Sequence, residues 1–272
     1  MKDNGGNMDL SNENMVHVKK DGIEYLQFKR LLEFKNLVHA YTLSVDGIDF
    51  NGKAEKSITE HSYDMLCDAL EINRENVVKP HQTHTDCIKN VDNNYQKTSK
   101  EYLENVDGLL TCKPDTDLVL SFADCTPILL YDPVKNVIGN IHSGWRGTAQ
   151  KIGQKAVQKM ISDYGSKPED IIACIGPCIG KCHFEVDEDV KNIFEQAFSY
   201  LNRNCDIIEK RENKYHIDTT LINRLMLEEC GLTNIIESKI CTVCNSNVIH
   251  SYRAQKDRAG RNIAVLGMTF EK

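Results

Sequence analysis

Three apolar stretches of strand length lie close together in the middle of the chain, and they constrain its fold more than any other feature. Turn-type residues follow each of them, and the stretches are Leu118–Ala123, Ile128–Asp132 and Val137–His142. Short apolar runs that end in turns are typical of buried β-strands. The segment therefore predicts consecutive strands joined by tight turns.

Helical and extended patterns alternate over the rest of the chain. Two further strands are predicted at Leu37–Leu43 and Ile171–Gly176. Apolar residues at helical spacing predict helices over His61–Leu70, Thr148–Ile161, Val190–Leu201 and a segment that begins after Asp218 or Thr219 and ends at Gly231. The mixture predicts an α+β fold with mixed β-sheets flanked by helices, although periodicity gives no strand order.

The chain has the length of one large domain or of two closely packed ones. It contains 272 residues, 40% of them hydrophobic, and no repeat or low-complexity linker marks a boundary. We therefore predict one compact catalytic domain over residues 21–272. Residues 1–20 are rich in Asn, Asp and Gly, so we expect a disordered or loosely held tail there.

Charge and hydropathy argue against several classes of protein. The formal net charge is −7, and no basic stripe offsets it, which argues against a general nucleic-acid binder. The N-terminal residues carry no signal-peptide pattern, and no apolar run approaches the roughly 18 residues of a membrane span. We expect a cytoplasmic protein, monomeric or homodimeric, with no membrane partner.

Cysteine is frequent in this chain, with 11 residues. Without a signal sequence, free thiols and thiolate metal ligands are better expectations than disulfides. Cys241 and Cys244 have CxxC spacing, and Cys178, Cys182 and His183 form a second group, but the fit to the paired motifs of a zinc finger is poor. A turn-type sequence follows Cys244, which also disfavours a redox CxxC site.

Three short polar segments at the ends of predicted strands carry the residues best suited to chemistry. Each places a His or Cys beside small or turn-forming residues, and the segments are Lys79–Asp86, Ser121–Pro127 and Ile141–Gly147. Two imidazoles and one thiolate, from His84, Cys125 and His142, would suit a catalytic zinc site, which keeps one coordination position open. His81 competes with His84, and only one of the two needs to enter the site.

Arginines are concentrated late in the chain and beside the third of these segments. Arg253, Arg258 and Arg261 lie in one stretch, and Arg146 follows the predicted strand that ends at His142. Such a group could hold an anion such as phosphate through bidentate hydrogen bonds. For Arg258, a solvated basic loop is the better interpretation.

Six motifs spread over roughly residues 37–270 carry a family resemblance. They are Gln82-Thr-His84, Asp107–Thr111, Ala123–Pro127, His142–Gly147, Ile175–Gly180 with Phe184–Val186, and Ser251–Arg253 with Gly260-Arg261. In this order they resemble the bacterial polyphenol oxidase or laccase-domain family, also known as the YfiH/YlmD group. Its mammalian relative is laccase domain-containing protein 1.

The resemblance implies a compact α+β fold, distantly like that of a bacterial toxin with a Cys–His hydrolase pair. It implies that His84, Cys125 and His142 bind one Zn²⁺ per chain, and that the family's copper-oxidase name is misleading. It also implies a purine nucleoside enzyme that phosphorolyses adenosine, inosine, guanosine or methylthioadenosine and deaminates adenosine. The expected partners are therefore a nucleoside and phosphate.

Other residues of these motifs are candidates for substrate contact or proton transfer. We expect Asp107 and Asp124 to orient ligands or move protons, and Arg146 to contact the anion during catalysis. The candidates for substrate binding are Gln82, Ser143, Arg253 and Arg261.

Two departures from the family pattern stand out. No arginine occurs near Thr42 and Leu43, where family members commonly carry one, and Phe184 stands where Tyr or a similar residue is usual. If that arginine holds phosphate or purine, phosphorolysis by this chain depends on other contacts.

Three alternatives stay open at this stage. Cys125 and His142 could form the dyad of a cysteine hydrolase or editing factor that acts on peptidoglycan precursors. A copper polyphenol oxidase is the second alternative, although the chain lacks the dense His-x-His pairs of multicopper sites. The third is a zinc-binding protein without enzymatic activity.

Overall fold

The predicted consecutive strands are present within a fold of three β-sheets covered by helices. The computed structural model describes residues 8–92, 100–201 and 207–269. Its strands are β1 (Met15–Lys20), β2 (Ile23–Phe28), β3 (Leu37–Thr42), β4 (Val77–Val78), β5 (Ile88–Asn90), β6 (Gly108–Thr111), β7 (Asp117–Phe122), β8 (Thr126–Asp132), β9 (Val137–Ser143), β10 (Ile172–Ile175), β11 (Glu185–Val186), β12 (Ile208–Arg211), β13 (Lys214–Ile217), β14 (Asn234–Glu237) and β15 (Asn262–Met268). Its α-helices are α1 (Lys56–Leu70), α2 (Trp145–Ala149), α3 (Ile152–Tyr164), α4 (Glu188–Phe198), α5 (Thr219–Glu229) and α6 (Tyr252–Gln255).

The strands form two large sheets and one small one. The first sheet has the order β1-β2-β3-β15-β7-β4, the second has the order β14-β10-β8-β9-β6-β5, and the third contains β11-β13-β12. In the first sheet β15 and β7 are antiparallel and β4 and β7 are parallel. In the second sheet β8 and β9 are antiparallel and β10 and β14 are parallel. The large sheets are therefore mixed, and the predicted α+β class is confirmed.

The period-two alternation of strand side chains explains how the two large sheets stack. On β7, Leu118 and Phe122 pack into the core between the sheets, whereas Val119 packs against α1 on the other side. On β8, Leu129 enters the core between the sheets and Leu130 packs towards α3 and α5. Successive strand residues point to opposite faces, so the result is four layers in the order α1, first sheet, second sheet, and α3 with α5.

The third sheet has an apolar cluster of its own beside these layers. Phe194 and Phe198 of α4 pack there with Ile217 of β13 and Ile222 of α5. Trp145 packs at the edge of the same cluster. Because α5 contributes to this cluster and also to the layer behind the second sheet, it joins the small sheet to the main body.

Two predicted boundaries are wrong. The tail predicted over residues 1–20 includes β1, since Met15–Lys20 pair with β2 along their whole length. The polar stretch that suggested disorder ends before this strand begins. Residues 1–7 of that tail lie outside the described residues. The helix predicted over Thr148–Ile161 is divided into α2 and α3, because Lys151 between them has a left-handed backbone with φ 62°.

The remaining predicted elements have the expected type. The strand and helix predicted at Leu37–Leu43 and His61–Leu70 correspond to β3 and to the second part of α1. The last predicted helix is α5, which is capped by the Asp218 side chain and followed by Gly231 at φ 90°. No helix in the described part of the chain is long and apolar enough to cross a bilayer.

Candidate metal centre and substrate cleft

The three predicted metal ligands converge near one end of the second sheet. His142 lies on β9, Cys125 lies in the turn between β7 and β8, and His84 lies in the loop between β4 and β5. One potential ligand atom of each residue lies within 4.8 Å of the other two. The imidazole rings of His84 and His142 have centroids 5.0 Å apart and are inclined at 76°. The predicted convergence of two imidazoles and a thiol is confirmed, whereas metal binding remains a prediction.

Asp107 holds both histidines in place. Its carboxylate accepts hydrogen bonds from Nδ1 of His142 at 2.7 Å and from the backbone N–H of His84 at 3.1 Å. It also accepts bonds from the backbone N–H and the hydroxyl of Thr85, at 2.7 and 2.8 Å. A carboxylate on one ring nitrogen of a histidine fixes its tautomer and leaves the other nitrogen for a metal. Nε2 of His142 is therefore the nitrogen available for coordination.

The contacts of Asp107 also explain the backbone of His84. The φ angle of His84 is 64°, in the left-handed region that non-glycine residues seldom occupy. Three successive N–H groups, those of Thr83, His84 and Thr85, point at the Asp107 carboxylate. These bonds offset the strain and direct the His84 ring towards Cys125.

The charge states of these buried groups depend on one another. Burial opposes ionisation of the Cys125 thiol, but His142 and His84 outweigh it and lower the thiol pKa to about 6. Burial alone would lower the pKa of His142, but Cys125 and Asp107 raise it to about 9. Burial likewise opposes ionisation of Asp107, yet its hydrogen bonds lower the carboxyl pKa to about 2. The site therefore favours a thiolate, which is the form of cysteine that binds metals.

Gly144 makes room for this convergence. A Cβ atom at this position would lie 2.8 Å from Cδ2 of His84 and 3.3 Å from Sγ of Cys125. Gly144 has φ −67°, a value that any residue adopts, so its requirement is for space and not for backbone freedom. A side chain here would enter the point at which the ligand atoms meet.

Asp124 positions the turn that carries Cys125. Its φ angle is 84°, and its carboxylate accepts hydrogen bonds from the Thr242 hydroxyl and the Arg253 backbone N–H, both at 2.6 Å. Its backbone carbonyl accepts the N–H of Ile179 at 2.9 Å. The carboxylate and the backbone carbonyl of Asp124 thus fix a strained turn against the segments that contain Ile179, Thr242 and Arg253.

The three predicted ligands face a cleft of about 1110 Å³, large enough for a nucleoside and an anion. Arg146, Arg253 and Arg261 line it, whereas the exposed Arg258 does not. The Arg146 guanidinium lies 4.3 Å from the centroid of the Trp145 ring. The Arg253 guanidinium donates to the carbonyl oxygens of His183 and Glu185 at 2.8 and 3.0 Å, and that of Arg261 donates to carbonyl oxygens of its own loop.

Two other predicted binding residues line the cleft with their polar groups already engaged. The Gln82 amide donates to the carbonyl of Ser121 at 3.0 Å and accepts its N–H at 2.8 Å. The Ser143 hydroxyl lies 2.8 Å from the Thr148 hydroxyl and 3.0 Å from the Asn223 side chain. Gln82 therefore extends the edge of β7, and Ser143 belongs to a buried polar network beneath the cleft.

The structure separates His81 from His84. The His81 ring is 66% exposed and pairs with Glu104 at 2.6 Å, so only His84 joins Cys125 and His142. At the position of the missing family arginine, Thr42 and Leu43 are buried, and neither lines the cleft.

The two groups of cysteines that the sequence presents separately are combined in the structure. Cys182 and His183 lie with Cys241 and Cys244 in one cluster, while the Cys178 thiol contacts the Thr220 hydroxyl instead, at 3.2 Å. The CxxC spacing signals half of this cluster, but local sequence does not indicate that the other half joins it. The long-range pairing of Cys178 with Cys241 along the backbone brings the two halves together.

Comparison with known proteins places these features in a family. Residues 48–269 match the family described as multi-copper polyphenol oxidoreductase laccase. Purine nucleoside phosphorylase YlmD of Bacillus subtilis is 34% identical over 195 residues, which are 69% of each chain. Adenosine deaminase RL5, from an unknown prokaryotic organism, is 32% identical over 200 residues, covering 71% of this chain and 75% of its own.

Solved structures agree with the fold. The Bacillus licheniformis protein YfiH superposes with a TM-score of 0.82 at 25% identity, covering 95% of this chain and all of its own (100%). YlmD from Geobacillus stearothermophilus superposes with a TM-score of 0.80 at 26% identity, covering 90% of this chain and 96% of its own.

Proposed function

The chain belongs to the multi-copper polyphenol oxidoreductase laccase family, and from this membership we propose that it is a zinc-dependent purine nucleoside enzyme. In this proposal it phosphorolyses adenosine, inosine, guanosine or methylthioadenosine, and it deaminates adenosine. The observation that carries the proposal is the cluster of His84, Cys125 and His142 at the wall of an arginine-lined cleft. The printed names of the two relatives, a purine nucleoside phosphorylase and an adenosine deaminase, support both reactions.

The donor set fits zinc. Two imidazoles and a thiolate are a ligand set found in catalytic zinc sites, which take three protein ligands and keep a fourth position open. The same donors are also found in blue-copper sites, so the set alone does not exclude copper. The cleft beside the cluster favours zinc, because it leaves space for a substrate at the open position. A bound zinc ion would supply Lewis-acid chemistry there and would acidify a coordinated water.

The residues around the cluster have distinct tasks in this proposal. Asp107 fixes the His142 tautomer and the His84 loop, and Asp124 fixes the Cys125 turn, so both act as positioning residues. Their carboxylates are already engaged by several donors, which favours positioning over proton transfer. Gln82 similarly holds the cleft wall through Ser121.

Arginines supply the positive charge for an anion. Arg146 is exposed in the cleft beside Trp145, and we assign it the phosphate contact. Arg253 and Arg261 use some of their N–H groups to hold loops, and both residues line the same cleft. Phosphate attack at C1′ of the ribose breaks the bond to the purine and yields ribose 1-phosphate, so a held anion is needed for phosphorolysis. Deamination at C6 uses no phosphate.

This difference gives a sharp experiment. Purified protein is incubated with adenosine while phosphate is titrated, and adenine and inosine are quantified separately. We expect the initial rate of adenine release to saturate with phosphate. The summed initial rate of inosine and hypoxanthine formation should be independent of phosphate, because phosphorolysis converts inosine into hypoxanthine. If no adenine forms at any phosphate concentration while inosine is still produced, the activity is restricted to deamination. The absence of both products from zinc-loaded protein would contradict the proposal.

A matched pair of arginine variants locates the anion contact. Arg146→Gln removes the charge from the cleft, whereas Arg258→Gln removes one from an exposed loop that does not line it. A lost charge-assisted contact costs about 1.5–3 kcal/mol, or about ten- to a hundredfold in apparent phosphate affinity. We expect that loss only for Arg146→Gln, with deamination unchanged as the internal control. Equal phosphate affinity in both variants would show that Arg146 does not hold the anion, and the contact would then be assigned to Arg253 or Arg261.

A cysteine hydrolase is the second candidate, because one observation favours it. The Asp107 carboxylate contacts the His142 imidazole, which in turn contacts the Cys125 thiol. The thiol pKa is lowered to about 6, as in a nucleophilic Cys–His dyad. Alkylation separates the candidates, since a zinc-bound thiolate is protected and a catalytic one is reactive. Rapid alkylation of Cys125 in protein that retains its zinc would favour the hydrolase.

A further inference from the structure

Four potential metal ligands form a second cluster outside the candidate metal centre. They are Sγ of Cys182, Nδ1 of His183, Sγ of Cys241 and Sγ of Cys244, and all lie within 4.8 Å of one another. The Cys182 sulfur is 3.7 Å from that of Cys241 and 3.8 Å from that of Cys244. Nδ1 of His183 lies 3.1, 3.7 and 3.5 Å from the sulfurs of Cys182, Cys241 and Cys244.

Four of these separations match the edges of a zinc coordination tetrahedron, and the fifth, between Nδ1 of His183 and Sγ of Cys182, is shorter at 3.1 Å. Zn–S bonds of about 2.3 Å and Zn–N bonds of about 2.0–2.1 Å at tetrahedral angles give S–S edges of about 3.8 Å and S–N edges of about 3.6 Å. A disulfide requires sulfurs about 2.05 Å apart, which none of the measured pairs approaches. The cluster therefore has the dimensions of an ion site and not of a disulfide.

The backbone around the cluster is shaped to bring the sulfurs together. Gly180 donates its N–H to Sγ of Cys241 at 3.3 Å, a contact that stabilises a thiolate. A Cβ atom on Gly180 would lie 3.2 Å from Sγ of Cys182 and 3.3 Å from Cβ of Cys241. Asn245 closes the turn after the CxxC pair, because its N–H and its side-chain amide both donate to the carbonyl of Cys241, at 3.2 and 2.8 Å.

We propose that Cys182, His183, Cys241 and Cys244 bind a second, structural Zn²⁺. A site with four protein ligands of the Cys₃His type leaves no coordination position for a substrate, and such closed sites stabilise folds. The candidate metal centre, in contrast, offers three ligands to an open cleft. The chain would thus hold two zinc ions, one more than the sequence motifs alone imply.

The second cluster braces the wall of the cleft. The carbonyl of His183, itself a proposed ligand, accepts the Arg253 guanidinium at 2.8 Å. Thr242, which lies between the two CxxC cysteines, donates its hydroxyl to Asp124 at 2.6 Å. Arg253 also donates its backbone N–H to Asp124. A zinc ion at the second cluster would therefore fix two loops that position Arg253 and the Cys125 turn.

Zinc stoichiometry tests the proposal without any activity measurement. The full chain is loaded with Zn²⁺, dialysed, and analysed for zinc per chain, alongside the variants Cys125→Ser, Cys244→Ser and the double variant. We expect two zinc ions in the parent, one in each single variant and none in the double variant. Cys112→Ser is the control, because that exposed thiol contacts Asp92 and belongs to neither cluster found among the described residues, and it should retain two.

Cobalt identifies the donors and protects the test against misfolding. Co²⁺ at the second cluster has three thiolate ligands, against one at the first, so Cys244→Ser should remove most of the thiolate-to-cobalt absorption and Cys125→Ser little of it. If Cys244→Ser is insoluble, Cys244→His retains a ligand and should restore two zinc ions per chain.

Either of two results would overturn the second site. One is a parent chain with a single zinc ion that only Cys125→Ser removes. The other is free reaction of the thiols of Cys182, Cys241 and Cys244 with an alkylating reagent in zinc-loaded protein, because thiolates that bind zinc are protected from it. The test of the second site does not depend on the proposed nucleoside activity. If the protein turned over no nucleoside, the Cys125→Ser variant would still be expected to bind one zinc ion, at the second cluster.

Discussion

Replacement of Asp107 by Asn tests whether the candidate metal centre depends on its buried carboxylate. Asn has the same shape, but it offers one carbonyl oxygen and one NH₂ group in place of two acceptor oxygens. In one orientation the NH₂ group meets the N–H groups of Thr83 and Thr85, which now donate to Asp107. In the other it meets Nδ1 of His142, now hydrogen-bonded at 2.7 Å.

The magnitude follows from these contacts. With the NH₂ group at His142, the ring is driven to the tautomer with its proton on Nε2, the nitrogen that would bind zinc. Loss of such an orienting partner typically weakens metal binding about ten- to a hundredfold, or about 1.4–2.7 kcal/mol. With the NH₂ group at Thr85, two charge-assisted hydrogen bonds are lost, which destabilises the fold by roughly 3–6 kcal/mol.

Two measurements distinguish these outcomes. Zinc affinity is measured by competition with a chromophoric chelator, and the free energy of unfolding is measured by urea denaturation of the zinc-free protein. Asp68→Asn, at an exposed position of α1, is the matched control and should change neither quantity. A folded Asp107→Asn protein whose zinc affinity and stability both equal those of the parent would refute the assigned positioning role.

Three further predictions concern single positions. Gly144→Ala should weaken zinc binding at least about tenfold in the same chelator assay, because its Cβ would lie 2.8 Å from the His84 ring; unchanged affinity would contradict the steric argument. His84→Ala should abolish adenosine turnover and His81→Ala should retain most of it, and the reverse order would show that the wrong ring has been assigned. Burial lowers the pKa of His39 from 6.5 to about 4. Below pH 6.5 the unfolded chain therefore binds a proton at His39 that the folded chain does not, and the free energy of unfolding falls by about 3 kcal/mol between pH 6.5 and pH 4. His39→Gln should remove that part of the pH dependence in urea denaturation, and an unchanged pH profile would contradict it.

Local sequence patterns predict the elements of this fold better than its layers. The strands β7, β8 and β9 are short apolar runs separated by tight turns, so their positions follow from neighbouring residues. The partners of β15 do not, because it pairs with β3 and β7 from distant parts of the chain. No periodicity signals such pairings. β1 escapes the sequence prediction for a related reason, since its position follows from pairing with β2 and not from a pattern of its own.

The candidate site divides in the same way. His84, Cys125 and His142 lie in recognisable motifs at strand ends, and their convergence follows once the strands are placed. The positioning tasks of Asp107 and Asp124 require knowledge of which N–H groups surround each carboxylate, and these groups come from several loops. The second cluster is the extreme case, because Cys182 and Cys241 are 59 residues apart and each half has an ordinary local interpretation.

The segment between the two halves of the second cluster contains all three strands of the third sheet. β11, β12 and β13 pair only with one another among the described strands, so this sheet is attached to the main body through its apolar cluster, through the loop that carries Cys182 and through α5, which follows β13. A contiguous unit of this kind can open cooperatively, and its backbone amides then exchange hydrogen at rates set by the same opening free energy. A zinc ion at the second cluster would close the loop around the unit and slow exchange throughout it. Since Phe184 and Val186 belong to both this unit and the cleft wall, slower opening of the unit would also keep that wall closed for longer.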